Sequence, residues 1–229
     1  MLNGLADASA VTALRSDIED TRRVRTLFDD ADLRDPAQIE RMTAAALETF
    51  GAIDILVNNA VVRHTAPVDQ FTTGDWDTAI AVNLSAAFHT IRAALPAMKR
   101  RRWGRIINVS SIYGLRGAPN RVGYVTTKTA LIGLTRAVAL ETAGLGITCN
   151  AICPGTSETP VHDTSVRDLM AEDGLSREDA VRRVLAGKQP SGRLVSPDAV
   201  AALMVFLCGE DAADITGTAL PIDGGWAAS

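Results

Sequence analysis

The sequence predicts an α/β fold in which a doubly wound parallel sheet carries helices on both faces. Short apolar runs alternate with longer helical patterns, the signature of βα units stacked on a parallel sheet. The run DILVNN at 54–59 is apolar on both faces, as expected of a strand covered by helices on either side. A chain of 229 residues that is 47% hydrophobic can bury a large core, so one domain over residues 1–229 is expected.

Taken in order, the elements are a helix at 8–20, a strand at 25–28, a helix at 36–50, the strand at 53–58 and a long helix at 73–101. The basic run Lys99-Arg100-Arg101-Arg102 closes that helix, where cations suit the carboxyl end. A strand at 105–110, a helix at 121–143 and the strand at 147–153 follow. In this last run, ITCNAIC, Cys149 and Cys153 read as small buried thiols. Residues 156–194 break the alternation, being rich in charge around few apolar side chains. They are expected to form an inserted helical lid, because open α/β sheets bind ligands beyond the carboxyl ends of their strands. A helix at 197–208 and a strand at 219–222 complete the sheet.

Composition excludes several classes of function. A net charge of −4 supplies no field for nucleic acid or an anionic membrane. No run approaches the ~18 apolar residues of a membrane span, and no charged-then-apolar leader opens the chain. The three cysteines form no CxxC pair, which favours a reducing compartment and gives no metal site. A cytoplasmic protein acting on a small molecule is the expectation.

The chemistry gathers around Tyr124 and Lys128 in GYVTTKTA. Four apart on a helix, they emerge from one face about one turn apart. A phenol with a pKa near 10 is a poor acid or base at neutral pH, and a neighbouring ammonium favours the phenolate. Ser111 ends the run GRIINVSS, close enough in sequence for a strand-loop-helix return to bring its hydroxyl to the phenol. Asn83, in IAVNLSAAFH, is polar on an apolar helix face. It needs partners there, as either a backbone staple or the holder of a water.

These residues resemble the short-chain dehydrogenase/reductase family. The matching pieces are DADL at 30–33, DILVNNA at 54–60, Asn83, GRIINVSS at 104–111, YVTTK at 124–128, CNAICPG at 149–155 and IDGGW at 222–226, in family order along almost the whole chain. Within the family the likeness is to bacterial 3-hydroxybutyrate dehydrogenases. The resemblance implies a Rossmann-like fold and hydride transfer between NAD or NADP and an alcohol or ketone, the cofactor performing the chemistry and the protein orienting it. It also implies that Tyr124 exchanges the proton, Ser111 holds the substrate oxygen, Lys128 lowers the phenol pKa and grips the ribose, and Asn83 holds a water. Asp32, Leu33, Asn59, Ala60, Val82, Pro154, Gly155 and Thr159 would line the cofactor, together with Tyr124 and Lys128. Asn3 lies near the position that selects between the two cofactors, and the absence of a neighbouring cation favours NAD.

For the substrate, the resemblance assigns the carboxylate to Arg121, with His64, Tyr113 and Trp226 at pocket positions. Arg63, Tyr113 and Asp163 replace a glutamine, a histidine and a glutamine usual in the hydroxybutyrate enzymes. A homodimer or homotetramer through the two long helices is implied as well.

The amino-terminal side departs from the pattern. The family opens with a central strand, a TGxxxGxG loop and a helix that receives the pyrophosphate, whereas this sequence has Gly4 and then no glycine until Gly51. The first strand, glycine-rich loop and first helix are therefore expected to be missing, and MLNG resembles the end of the family's second strand. Val61 replaces a glycine and would crowd the ribose. Two charge-assisted hydrogen bonds at ~1.5–3 kcal/mol each correspond to about 10²- to 10⁴-fold in affinity, so cofactor binding is expected to be weak or lost. The strands at 25–28 and 53–58 should then pair directly or be bridged by another chain. Three readings stay open: an NAD(P)-dependent dehydrogenase, an enzyme using Ser111, Tyr124 and Lys128 for cofactor-free dehydration, isomerisation or cyclisation, and a non-catalytic binding protein.

Overall fold

A computed structural model describes all 229 residues, Met1–Ser229. Its main sheet has four parallel strands in the order β3 (Ile55–Asn58), β4 (Gly104–Val109), β5 (Ile147–Pro154) and β6 (Ala219–Ile222). Two further strands, β1 (Leu2–Asn3) and β2 (Phe28–Asp29), pair in parallel as a separate ribbon. The helices are α1 (Ala8–Arg22), α2 (Pro36–Phe50), α3 (Thr73–Ile80), α4 (Ala86–Arg101), α5 (Val122–Thr142), α6 (Pro160–Asp173), α7 (Arg177–Val184) and α8 (Pro197–Cys208). No helix is long and apolar enough to cross a membrane.

β4 and β5 sit at the centre because almost every one of their residues is buried. On one face Ile106 and Cys149 pack with Ile91, Ala94 and Met98 of α4 and Val138 of α5. On the other, Ile107 and Ile152 pack with Leu207 of α8 and Ala212. The buried length of α5 carries threonines without penalty, since Thr127, Thr135 and Thr142 each donate to the carbonyl four residues back. This pins the helix that carries Tyr124 and Lys128 against the carboxyl half of the sheet.

Several expectations need correction. The segments at 25–28 and 53–58 do not pair, and no other strand bridges them. The partner of β2 is instead the start of the chain: Leu2 donates to Leu27, and the Asn3 amide ties down the carbonyls of Asp29 and Ala31. The strand DILVNN is covered on one face only. Leu56 packs into the core, whereas Ile55 is 48% and Val57 42% exposed. The helix expected over 73–101 is interrupted by a wider π-type turn at Ala81–Ser85, which buries Asn83.

Residues 156–194 fold as the helical hairpin α6–α7. Its base is cinched by a parallel bridge between Ser157 and Val195, where Val195 donates to Thr156 and Glu158 to Val195.

Candidate active site

Tyr124 and Lys128 lie in the first two turns of α5, both buried. The Lys128 ammonium sits 5.8 Å from the centre of the Tyr124 ring and donates to the carbonyl of Val109, at the end of β4. Burial, reinforced by the charge of Arg63, pulls the Lys128 pKa down to about 8. Ser111 caps the short turn after β4, its hydroxyl accepting from the Tyr113 N–H. That turn carries Tyr113 across to the site, where its ring meets Tyr124 edge to face at 6.3 Å and Trp226 at 5.4 Å. Trp226 is buried, and Arg116 holds the tail by donating to the carbonyls of Trp226 and Ser229. Tyr113, Tyr124 and Trp226 thus form one aromatic wall.

Asn83 is 2% exposed and acts as a staple. Its side-chain oxygen accepts from the Val62 N–H at 2.8 Å, and its amide donates to the Val62 carbonyl at 3.0 Å and to Thr127 at 3.3 Å. Of the two roles that the sequence leaves open for this residue, the structure displays the backbone contact. The staple fixes the loop after β3, which carries the next two residues in different directions. Arg63 stands over the Tyr124 ring at 5.5 Å. His64 turns instead to Asp75 at 3.0 Å and to the edge of Phe71. Arg63, not His64, is the residue of this loop that the structure brings to the phenol, and nothing in the local sequence separates the two.

A groove of about 1090 Å³ runs between β1 and β3, and Lys128 is among the residues that line it. Asp32, Leu33, Asn59, Ala60, Val82, Asn83 and Lys128 all line it, as do Asn3 and Val61. Its volume is of the size that takes a whole small-molecule ligand. The residues fit a dinucleotide beside Lys128, where a buried ammonium with a single protein acceptor faces the groove. Asp32 is less free, because its carboxylate grips Arg34, which holds its pKa down to about 2.

Pro154, Gly155 and Thr159 are not part of the groove lining; Pro154 ends β5 and the other two follow it. Gly155 is needed for packing, since a Cβ there would fall 2.6 Å from the Gln189 side chain and 3.0 Å from the Asp223 backbone. Thr159, at the start of α6, shares a hydrogen bond with His162 at 3.1 Å. Arg121 is the cap residue of α5 and makes no capping side-chain bond there. No cluster of His, Cys, Asp and Glu is arranged to hold a metal ion.

Comparison with known proteins agrees with this geometry. A family model described as enoyl-(acyl carrier protein) reductase matches residues 3–227. That match begins at residue 3 and lends no support to a lost first strand and loop. D-beta-hydroxybutyrate dehydrogenase of Cupriavidus necator is 43% identical over 228 residues, covering 100% of this chain and 88% of the relative. The enzyme of the same name from Rhizobium meliloti is 40% identical with the same coverage. Among solved structures, L-sorbose reductase from Gluconobacter frateurii, complexed with NADPH and L-sorbose, superposes with a TM-score of 0.91 at 26% identity, covering 100% of this chain and 86% of that one. Levodione reductase gives a TM-score of 0.86 at 30% identity, covering 100% and 87%.

Proposed function

This chain belongs to the short-chain dehydrogenase/reductase family, and we propose that it interconverts a small hydroxy carboxylic acid and the corresponding oxo acid, using NAD or NADP. The observation that carries the proposal is the meeting of two spaces at Lys128. Lys128 lines the groove between β1 and β3 and also stands 5.8 Å from the ring of Tyr124, which belongs to the aromatic wall.

When bound, the nicotinamide accepts or supplies the hydride. The protein does the rest. Tyr124 takes the proton from the substrate hydroxyl in oxidation and returns it in reduction, while the Ser111 hydroxyl holds the same oxygen. The Lys128 ammonium stands by the phenol, favours its ionised form and holds the ribose in the groove. Arg121 grips the substrate carboxylate, which a guanidinium can do through two parallel hydrogen bonds. Asn83 keeps the loop that carries Arg63 in position. Trp226 and Tyr113 cover the apolar part of the substrate, and the hairpin α6–α7 acts as a lid over it. Exposed apolar side chains on the two long helices, Phe88 on α4 and Leu140 on α5, support assembly as a homodimer or homotetramer.

The same reading expects weak dinucleotide affinity. Val61, on the loop after β3, lines the groove and puts a side chain where backbone would approach the ligand. The amino end of α1 is already filled by its own cap, with the Asp7 carboxylate accepting from Ser9 and Ala10. Arg25 and Arg34 line the groove beside Asn3 and Asp32, so the lining accepts either NAD or NADP.

Turnover of 3-hydroxybutyrate with NAD, followed as nicotinamide reduction, tests the proposal. Tyr124→Phe is expected to lower the rate by about 10²- to 10⁴-fold, the usual worth of a positioned acid-base group, with NADH affinity unchanged. Full activity in that variant would refute the role of the phenol. A sub-micromolar NADH dissociation constant in a fluorescence titration would refute the weak-affinity part alone.

A further inference from the structure

Positive side chains from separate parts of the chain lie close enough to act on His162 of α6 or on the Tyr124–Lys128 pair. Arg63 comes from the loop after β3 and lies over the ring at 5.5 Å, while Arg121 caps α5 three residues before the phenol. Lys188 and His162 come from the α6–α7 segment. The charges of Arg63, Lys188 and Arg121 all reach His162 and, together with its burial, which dominates, hold its pKa below the usual histidine range. Arg63 acts on Lys128 in the same way.

None of the three cations has a protein counterion. Arg63, Arg121 and Lys188 form no ion pair with any carboxylate of the chain. The acids that could have served are engaged elsewhere. Asp75 holds His64 at 3.0 Å, Asp163 at the start of α6 holds Arg177 at 3.3 Å and Arg167 at 3.8 Å, and Asp223 accepts from the Gly225 and Ala227 N–H groups. Like charges gathered without a counterion repel one another, and the repulsion is relieved when an anion enters.

A single carboxylate is satisfied by one guanidinium, and Arg121 suffices for it. Arg63 is then a second cation, stacked on the phenol ring and without an anionic partner. We infer that the substrate is a hydroxy or oxo dicarboxylate, with Arg121 and Arg63 each receiving one carboxylate. This inference rests on the dehydrogenase reading above and narrows its substrate class.

Unreactive probes separate the two. In calorimetric titrations of the protein with NAD present, glutarate is expected to bind at least about tenfold more tightly than butyrate, equivalent to 1.4 kcal/mol. Arg63→Gln should reduce that advantage to less than about threefold, and Arg63→Lys, which keeps the charge, should retain most of it. The inference is overturned by equal affinities, by binding of neither probe, or by an advantage that survives Arg63→Gln. Failure of the dehydrogenase reading shows separately, as no nicotinamide reduction with either 3-hydroxybutyrate or 3-hydroxyglutarate, whichever probe binds better.

Discussion

On one side of β3 the sheet continues through β4, β5 and β6, and Ile106, Ile107 and Ile152 are wholly buried. On the other side β1 and β2 pair over two residues only, and the groove keeps them apart from β3. The residues proposed for proton transfer, Ser111, Tyr124 and Lys128, all belong to the closed side, hung from the end of β4 and from the helix packed on β5. Asp32, Leu33, Asn59, Ala60 and Val82, proposed to meet a dinucleotide, line the open side. Proton transfer needs groups held to within a fraction of an ångström, which dense packing supplies. A dinucleotide needs room, and the cost of making it is a strand with half its apolar side chains in solvent.

The contrast can be broken most directly at the core of the closed side. Ile107, fully buried between Ile152 and Leu207, should cost about 2 to 5 kcal/mol on replacement by alanine, because a cavity is left that the packed sheet cannot collapse. Urea unfolding monitored by circular dichroism measures it. A loss below 1 kcal/mol would mean that the closed side is as loosely held as the open one.

Lys128 tests where the two sides meet. Its pKa lies at about 8 in the folded protein against about 10.5 for a free lysine, so between these values the unfolded chain binds a proton that the folded one does not. Stability from this group is therefore lowest below pH 8 and rises as the pH climbs toward 10.5. Lys128→Met removes the buried charge, abolishes turnover, and removes that rise. The stability of the variant relative to the native protein should fall by about 3 kcal/mol between pH 7 and pH 10.5. A pH-independent difference would place Lys128 in water rather than in the protein.

Asn83→Ala comes next. It leaves the Val62 N–H and carbonyl without their partner, at an expected cost of about 1 to 3 kcal/mol. Since the same loop holds Arg63 over Tyr124, any glutarate preference should fall as well, whereas a purely local staple would change stability and leave the preference intact.

What could be read from the sequence follows the same division. β4 and β5 were legible because strands buried on both faces are written as mainly apolar runs, here GRIINV and ITCNAIC. Tyr124 and Lys128 were legible because helical spacing alone puts them on one face. β1 was not, because a two-residue strand has no periodicity, and its pairing with β2 depends on an Asn3 amide reaching Asp29 and Ala31. DILVNN misled for a related reason. Apolar residues on both faces signal that a strand prefers to be covered, not that the chain covers it. Arg63 was visible only as a departure from a pattern, since its stacking on Tyr124 joins the loop after β3 to a helix far along the sequence. Gly155 was marked only through the resemblance, because the close approach of Gln189 and Asp223 that its missing side chain permits comes from segments far along the chain.

The smallest effect is expected on the exposed edge. Ile55 is 48% exposed and already borders the groove, so alanine there removes little buried area and opens no new cavity. At roughly 25 cal/mol per Å² the loss should stay below about 1 kcal/mol, several times less than at Ile107 although both residues lie on neighbouring strands of one sheet. The same urea experiment decides it. A cost of 2 kcal/mol or more at Ile55 would mean that this face of β3 is covered in solution and that β1 and β3 close upon each other. The groove would then be too narrow for a dinucleotide to reach Lys128.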